Sequence, residues 1–182
     1  MRQVCLAIVL FLGITASVSA QPWCLAPPLI HPTAAKHTVF TYQFMSDWSD
    51  TERICIRRAF YVWELALAPQ DIHFVEGITA PSITITRQYL PGNLAGATTA
   101  PHYERGAVVG FGIVVTSDHS KISTCDGYRK VILHEVGHGL GLGHTNGMNG
   151  TSVMNMLGGP NDIQGNLPIY PTPCDLHPIQ QH

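Results

Sequence analysis

The segment from His134 to His144 reads H-E-x-x-H-x-x-G-x-x-H, and it constrains the fold more than any other stretch of this chain. On a helix, residues four positions apart lie on one face, so His134 and His138 present their imidazoles side by side. Gly141 has no Cβ and can adopt a left-handed conformation that ends the helix. The chain can then turn back, and the sequence predicts that all three imidazoles converge on one cation.

Three neutral imidazoles suit Zn²⁺ and leave one tetrahedral position for water, which is typical of catalytic and not of closed structural sites. Glu135 directly follows the first ligand and is expected to face that water, so it is the candidate general base. Five fixed positions make a chance match rare, whereas H-E-x-x-H alone is a much weaker indication. The alternative is a set of histidines scattered on a glycine-rich loop.

This segment resembles the zinc-binding motif of the metzincin metallopeptidases. The resemblance implies a Met-turn downstream, and Met154 follows ten residues after His144, within the candidate Met-turn 152–156. In the family such a methionine underlies the metal site without binding the ion. Met156 is the alternative residue for this position.

The first long helix is predicted to open at Ser49, because Ser49 and Glu52 form a capping-box pattern, and to end at Pro69. Its apolar residues recur at three- and four-residue spacing, which predicts one face packed on a sheet. Trp63 is interpreted as a core aromatic residue of this face. The whole stripe comprises Cys55, Ala59, Phe60, Trp63, Ala66 and Leu67.

The second helix carries the motif, and we expect it to run from about Tyr128 to about Leu140 with Asp126 as its N-cap. Gly137 and Gly139 are poor helix formers, so their presence suggests close packing around the metal site. Strands are predicted at 38–44, 73–75, 82–86 and 108–116.

The order of strand, long helix, strand and strand resembles the N-terminal half of a matrixin catalytic domain. The predicted fold class is therefore α+β, with a metzincin-like zincin fold. We expect a twisted mixed β-sheet of about five strands packed on a long helix and an active-site helix, followed by a small irregular C-terminal subdomain.

A short stretch before the central strand resembles the edge strand that pairs with substrate in the family; its residues are Ala95, Gly96, Ala97 and Thr98. An edge strand offers unpaired backbone N–H and C=O groups, so an extended peptide can bind there by strand addition. Small side chains would keep the approach open.

The first 20 residues are predicted to form a secretory signal peptide, with Arg2 at the start, an apolar run, and small residues before Gln21. That run is too short for a membrane-spanning helix. We expect an extended, proline-containing arm at 21–37 and one catalytic domain at 38–182, which suits a length of 182 residues.

Four cysteines remain after the signal peptide, and an even number in an exported chain predicts two disulfides among Cys24, Cys55, Cys125 and Cys174. Three pairings are open. Because some metzincins link the first helix to the C-terminal tail, the resemblance favours Cys55 with Cys174 and Cys24 with Cys125. Cys24 as a thiolate that blocks the zinc is the alternative.

The net charge of −2 and the 12% of charged residues indicate neither nucleic acid nor an acidic membrane surface as partner. Protein or peptide substrates and a monomer without a membrane anchor are expected. Matrixins hold structural zinc and Ca²⁺ in the region of His102, where this sequence has few ligands; one catalytic Zn²⁺ is predicted and Ca²⁺ is not supported. His31 is placed among surface or loop residues.

Together these features predict a secreted zinc endopeptidase in which Glu135 transfers protons while a metal-activated water attacks the peptide bond. Two alternatives remain. The chain could be an inactive binding or inhibitory module, although the intact Glu135 argues against this, or a zinc hydrolase of a non-peptide amide or ester.

Overall fold

A computed structural model of the protein describes residues 26–77, 79–145, 152–155 and 167–181. The predicted signal peptide at 1–20, Cys24 and Met156 lie outside these ranges. The described helices are α1 (Asp50–Ala66), α2 (Cys125–Gly139) and α3 (Pro173–Gln180). The strands are β1 (Val39–Phe44), β2 (His73–Glu76), β3 (Ile83–Gln88), β4 (Gly96–Thr98), β5 (His102–Glu104) and β6 (Ala107–Thr116).

The described strands form one mixed sheet of six members in the order β2-β1-β3-β6-β4, with β5 also paired to β6. β1, β2, β3 and β6 run parallel, whereas β4 and β5 run antiparallel to β6. The prediction of a mixed sheet with about five strands is therefore confirmed. β5 was not predicted because its three residues are all exposed and show no alternation of apolar and polar side chains.

α1 begins as predicted, with the Ser49 hydroxyl accepting from the Glu52 N–H and the Glu52 carboxylate accepting from the Ser49 N–H. The helix ends at Ala66, and a short 3₁₀ turn that contains Pro69 follows. Trp63 is fully buried, and its indole N–H donates to the Leu133 carbonyl of α2 over 3.0 Å. The prediction that Trp63 is a core aromatic residue is confirmed.

α2 begins three residues earlier than predicted, and Asp126 is not its N-cap. Thr124 is the N-cap, because its backbone is extended and its hydroxyl accepts from the Gly127 N–H over 3.0 Å. Asp126 already lies within the first turn. Its carboxylate interacts favourably with the positive end of the helix dipole and pairs with Arg129 at 3.2 Å.

A disulfide joins Cys55 of α1 to Cys125, the first residue of α2. The Cα atoms lie 5.2 Å apart, within the usual range for a disulfide. The pairings that the resemblance favoured are therefore wrong, because the packing of α1 against α2 brings these two cysteines together. Cys174 is also disulfide-bonded.

The C-terminal region, which was predicted to be irregular, contains the helix α3. Thr172 and Asp175 form a capping box at the start of α3, and Pro173 occupies the first turn, where its missing N–H has no cost. Within the described ranges, no helix is both long and apolar enough to cross a membrane.

Candidate metal centre

Three imidazole nitrogens converge at the end of α2. The Nε2 atoms of His134, His138 and His144 lie 3.0 to 3.1 Å from one another. Three nitrogens that each bind a tetrahedral ion at about 2.0–2.1 Å lie roughly 3.3 Å apart, so the spacing fits one first-row transition metal. These three residues could therefore hold a metal ion together, as the motif predicted.

The other ring nitrogen of two ligands is held by a backbone carbonyl. His134 Nδ1 lies 2.7 Å from the Val153 oxygen, and His138 Nδ1 lies 2.8 Å from the Leu142 oxygen. A carbonyl can only accept, so Nδ1 carries the hydrogen and Nε2 keeps its lone pair. The surroundings thus fix the tautomer that a metal ligand needs.

Desolvation favours the neutral form of these rings, of which His134 is buried, His138 half-buried and His144 exposed. Desolvation lowers the pKa of His134 to about 3, and it also lowers the pKa values of His138 and His144. Only the neutral imidazole donates a lone pair to a metal. At neutral pH the three rings are therefore in their ligand form.

Gly141 ends the helix as predicted. Its φ is +100°, in the left-handed region that favours glycine, and the chain turns there so that His144 reaches the other two rings. A side chain at this position would also meet the carbonyl oxygen of His31, because an added Cβ would lie 2.7 Å from that atom.

Glu135 is 3% exposed and lines the same cleft as the three histidines. Burial raises the pKa of its carboxyl group to about 7, although the hydroxyl of Thr98 opposes this shift. Thr98 Oγ1 lies 2.8 Å from Glu135 Oε2 and 2.7 Å from the Glu135 backbone oxygen. The carboxylate is thus held on one side by β4.

The cleft has a volume of about 470 Å³, and β4 with its flanking residues forms one wall. The Thr99 N–H donates to Gly112 and the Thr116 N–H donates to Ala95, each over 2.9 Å, so these residues of β4 and its flanks bond to β6. In an antiparallel pair the intervening residues face the other way. The backbone groups of Gly96 and Thr98 therefore point to the outer edge of β4, with which no described strand pairs.

The four residues predicted for the edge strand all line the cleft. β4 itself is shorter than the predicted segment, since it contains Gly96, Ala97 and Thr98 but not Ala95. The further lining residues from the described chain are Ile30, His31, Asn93, Leu94, Thr99, Ala100 and Pro101, together with the three histidines and Glu135. Glu135 is the sole Asp, Glu, Lys or Arg among these residues.

Met154 is fully buried directly below the helix that carries the ligands. A Cβ on Gly137 would collide with the sulfur of Met154, and a Cβ on Gly139 would collide with the ring of Phe111. The two glycines therefore allow a side chain and an aromatic ring to approach α2 closely. This confirms the close packing that their presence in the motif suggested.

The N-terminal arm lies against the metal-binding loop, which comprises residues 140–144 and carries the candidate ligand His144. The Ile30 N–H donates to Gly141 over 2.8 Å, and the Gly143 N–H donates to Pro28 over 2.6 Å. His31 Nε2 lies 2.9 Å from the carbonyl oxygen of His138. His31 lies in a loop, as predicted, but it is half-buried and lines the cleft. No local pattern around His31 indicates a contact with a residue 107 positions away.

Asp175 is a second residue that sequence reasoning missed. It is fully buried, and its carboxylate accepts from the Ser152 hydroxyl over 2.5 Å and from the Val153 N–H over 3.2 Å. The Val153 carbonyl in turn holds His134. The capping-box pattern of Thr172 and Asp175 could have revealed α3, although not this contact.

No family model matches the sequence, and no curated protein matches it. Two solved structures of myroilysin are similar to the chain. The first has a TM-score of 0.42 and 16% identity, and the match covers 62% of this chain and 52% of that one. The second has a TM-score of 0.42 and 15% identity, with 69% and 54% covered. The chain thus spans about half the length of these structures, and the residues of the site have to carry the functional interpretation.

Proposed function

We propose that this protein is a secreted zinc-dependent endopeptidase of metzincin type, with a layout similar to that of the matrixins. The observation that carries the proposal is the convergence of three Nε2 atoms within 3.0 to 3.1 Å, beside a buried carboxylate and an open sheet edge. Each of these parts has a role in peptide hydrolysis.

The donor set supports zinc as the metal. Three neutral imidazoles with no thiolate or carboxylate ligand are typical of catalytic Zn²⁺ sites in which one position stays open. His134, His138 and His144 would hold the ion. When bound there, Zn²⁺ would supply a Lewis acid that activates water and polarises the carbonyl of the scissile bond.

Glu135 is the proposed general base and acid. Its Oε2 is engaged by Thr98, and its Oε1, which lies against Gly96, is the proposed acceptor for the proton of the attacking water. The same carboxyl group then delivers this proton to the departing amine. The low exposure of Glu135 keeps bulk water from competing for that proton.

β4 is the proposed binding site for the substrate backbone. The outward N–H and C=O groups of Gly96 and Thr98 can pair with an extended peptide, and the small side chains of β4 leave room for it. Met154, packed below Gly137, is the proposed Met-turn residue that supports the ligands from beneath.

Secretion is part of the proposal. The disulfide between Cys55 and Cys125, and the bonded state of Cys174, are compatible with an oxidising compartment. The first 20 residues have the composition of a signal peptide.

Cleavage of a quenched-fluorescent peptide library by the mature, oxidised protein tests the proposal, with and without o-phenanthroline. We expect one zinc per chain by metal analysis and full loss of cleavage after chelation. Because general acid–base catalysis contributes about 10²- to 10⁴-fold, Glu135→Gln should lower kcat by that factor while it retains zinc.

Asp126→Asn is the matched control, because Asp126 lies on the same helix but its side chain is 65% exposed. This variant should cleave the library at the wild-type rate. A Glu135→Gln protein that keeps full activity would remove Glu135 from the mechanism, and a correctly oxidised wild type without bound metal would remove the whole proposal.

A further inference from the structure

We propose that Thr98 is a positioning residue that holds the carboxylate of Glu135 in its working orientation. The inference rests on the proposed function, since it assigns a role to a residue of the same site. The contact is made by a single side chain on β4, and the residue types of the motif do not indicate it.

The geometry of the hydroxyl group supports this role. Thr98 Oγ1 lies 2.8 Å from Oε2 of Glu135 and 2.7 Å from its backbone oxygen. The hydroxyl carries one hydrogen, which it can donate to either oxygen or share between them. Both oxygens belong to one residue, so the contact fixes the side chain of Glu135 relative to its own backbone.

The strand geometry places Thr98 correctly for this contact. Side chains alternate along a strand, so Gly96 and Thr98 face the same side, toward α2. At Gly96 an added Cβ would lie 2.7 Å from Oε1 of Glu135 and 2.6 Å from Cγ1 of Val131. β4 therefore places a glycine, which has no side chain, against one carboxylate oxygen and a hydroxyl group against the other.

A buried carboxylate needs such support. Glu135 is 3% exposed, so few water molecules can solvate it. Among the described residues, Thr98 is the one whose side chain stabilises the ionised carboxylate through a hydrogen bond. An alkyl chain with free torsions would otherwise sample several rotamers, and a small displacement of the reacting atom has a large effect on rate. Because β4 is also the proposed substrate strand, the same residue would align the peptide and the carboxylate.

Replacement of Thr98 by Val removes the hydroxyl and keeps the shape. Because a hydrogen bond to a charged group is worth about 1.5–3 kcal/mol, we expect kcat to fall about 10- to 100-fold. We expect KM to change little and zinc content to stay at one per chain. Thr98→Ser keeps the hydroxyl and should restore kcat to within about threefold of wild type.

Thr86→Val is the matched control. Thr86 Oγ1 lies 3.4 Å from the Ile113 carbonyl in β6, so this variant removes a strand hydroxyl that does not touch Glu135. Its kcat should equal that of wild type. In a Glu135→Gln background, Thr98→Val should have little further effect, since the two residues then no longer act as a unit.

Crystal structures of the zinc-loaded wild type and Thr98→Val proteins provide a measurement that does not depend on activity. We expect the Oγ1–Oε2 distance below 3.5 Å in the wild type and a changed or multiple rotamer of Glu135 in the variant. An inactive wild type with this contact intact would overturn the proposed function but not the positioning contact. Unchanged kcat in Thr98→Val, an effect confined to KM, or a Glu135 rotamer that stays in place would overturn the inference.

Discussion

The two long helices have similar lengths and contribute to one core, but they bury different kinds of side chains. α1 buries five residues, all of them apolar: Cys55, Ile56, Ala59, Phe60 and Trp63. α2 buries eleven residues, and these include Lys130, His134 and Glu135. α1 therefore behaves as a support, whereas α2 carries the polar groups of the candidate site into the interior.

This difference determines what each helix needs from the rest of the chain to stabilise its buried side chains. An apolar face is stabilised chiefly by burial against a complementary apolar surface, and on α1 the Trp63 indole adds one hydrogen bond to this. Buried polar groups need hydrogen-bond partners, since an unpaired one costs about 1–3 kcal/mol. α2 obtains these partners from Val153, Leu142 and Thr98, which lie outside the helix.

The largest effect on stability is expected at α1. Trp63→Ala removes a fully buried aromatic side chain and its bond to Leu133, so the free energy of unfolding should fall by about 3–5 kcal/mol. Urea denaturation followed by circular dichroism measures this change. Tyr61→Ala on the same helix is the control, because Tyr61 is 60% exposed and should contribute little. Equal losses for the two variants would contradict the role of the buried face of α1 as a support.

The next effect should appear at α2 as a loss of metal affinity. Asp175→Asn replaces one accepting oxygen with a donor that would face the donors of Ser152, Val153 or Thr172. The Val153 carbonyl would then hold His134 less firmly, and residues behind metal ligands typically change affinity about 10- to 100-fold. Competition with a chromophoric zinc chelator measures the dissociation constant. The exposed Asp47→Asn should leave it unchanged; a wild-type affinity in Asp175→Asn would show that α3 does not support the ligands.

The features that the sequence could predict are those that depend on residues close together in the chain. The candidate metal ligands and the apolar face of α1 were predictable because both depend on local spacing: helical spacing for α1, His134 and His138, and the turn at Gly141 for His144. The contacts of His31, Asp175 and the Thr98 hydroxyl depend on segments brought together only by the fold, so no local pattern indicates them. The disulfide pairing was wrong for a related reason: it was taken from a resemblance, while the actual bond follows from how α1 packs against α2.

A smaller, pH-dependent effect on stability is expected at Glu52 of α1, whose carboxylate is partly buried. Burial alone would raise the pKa of Glu52, but Arg87, Tyr128 and Ser49 lower it to about 2. The folded-state pKa is thus below the unfolded value of 4.5, so the stabilisation is complete above pH 4.5 and is lost as the pH falls toward 2. Denaturant midpoints at pH 7 and pH 3 should therefore differ more for wild type than for Glu52→Gln. Identical differences would show that Glu52 is not the responsible carboxylate.

The smallest predicted effect concerns the N-terminal arm. His31→Ala removes the ring contacts with the His138 carbonyl, the Pro32 carbonyl and Tyr103, and the hydrogen bond to His138 alone should contribute about 0.5–1.5 kcal/mol of stability. The backbone bonds of Pro28 and Ile30 to the metal-binding loop remain, and zinc content should not change. His119→Ala, at an exposed position, serves as the control in thermal unfolding. A loss of zinc in His31→Ala would make the arm part of the metal centre itself.

The bond from Asp175 to Ser152 and Val153 has a consequence for the order in which the protein matures. Ribosomes synthesise a chain from its N-terminus, so all three histidines emerge well before the residue that anchors the carbonyl behind His134. A nascent chain arrested before position 172 would therefore carry all three candidate ligands but lack the carboxylate behind His134, so it should bind a metal ion weakly. Tight binding of a metal ion at this candidate site should accordingly follow the synthesis and docking of α3.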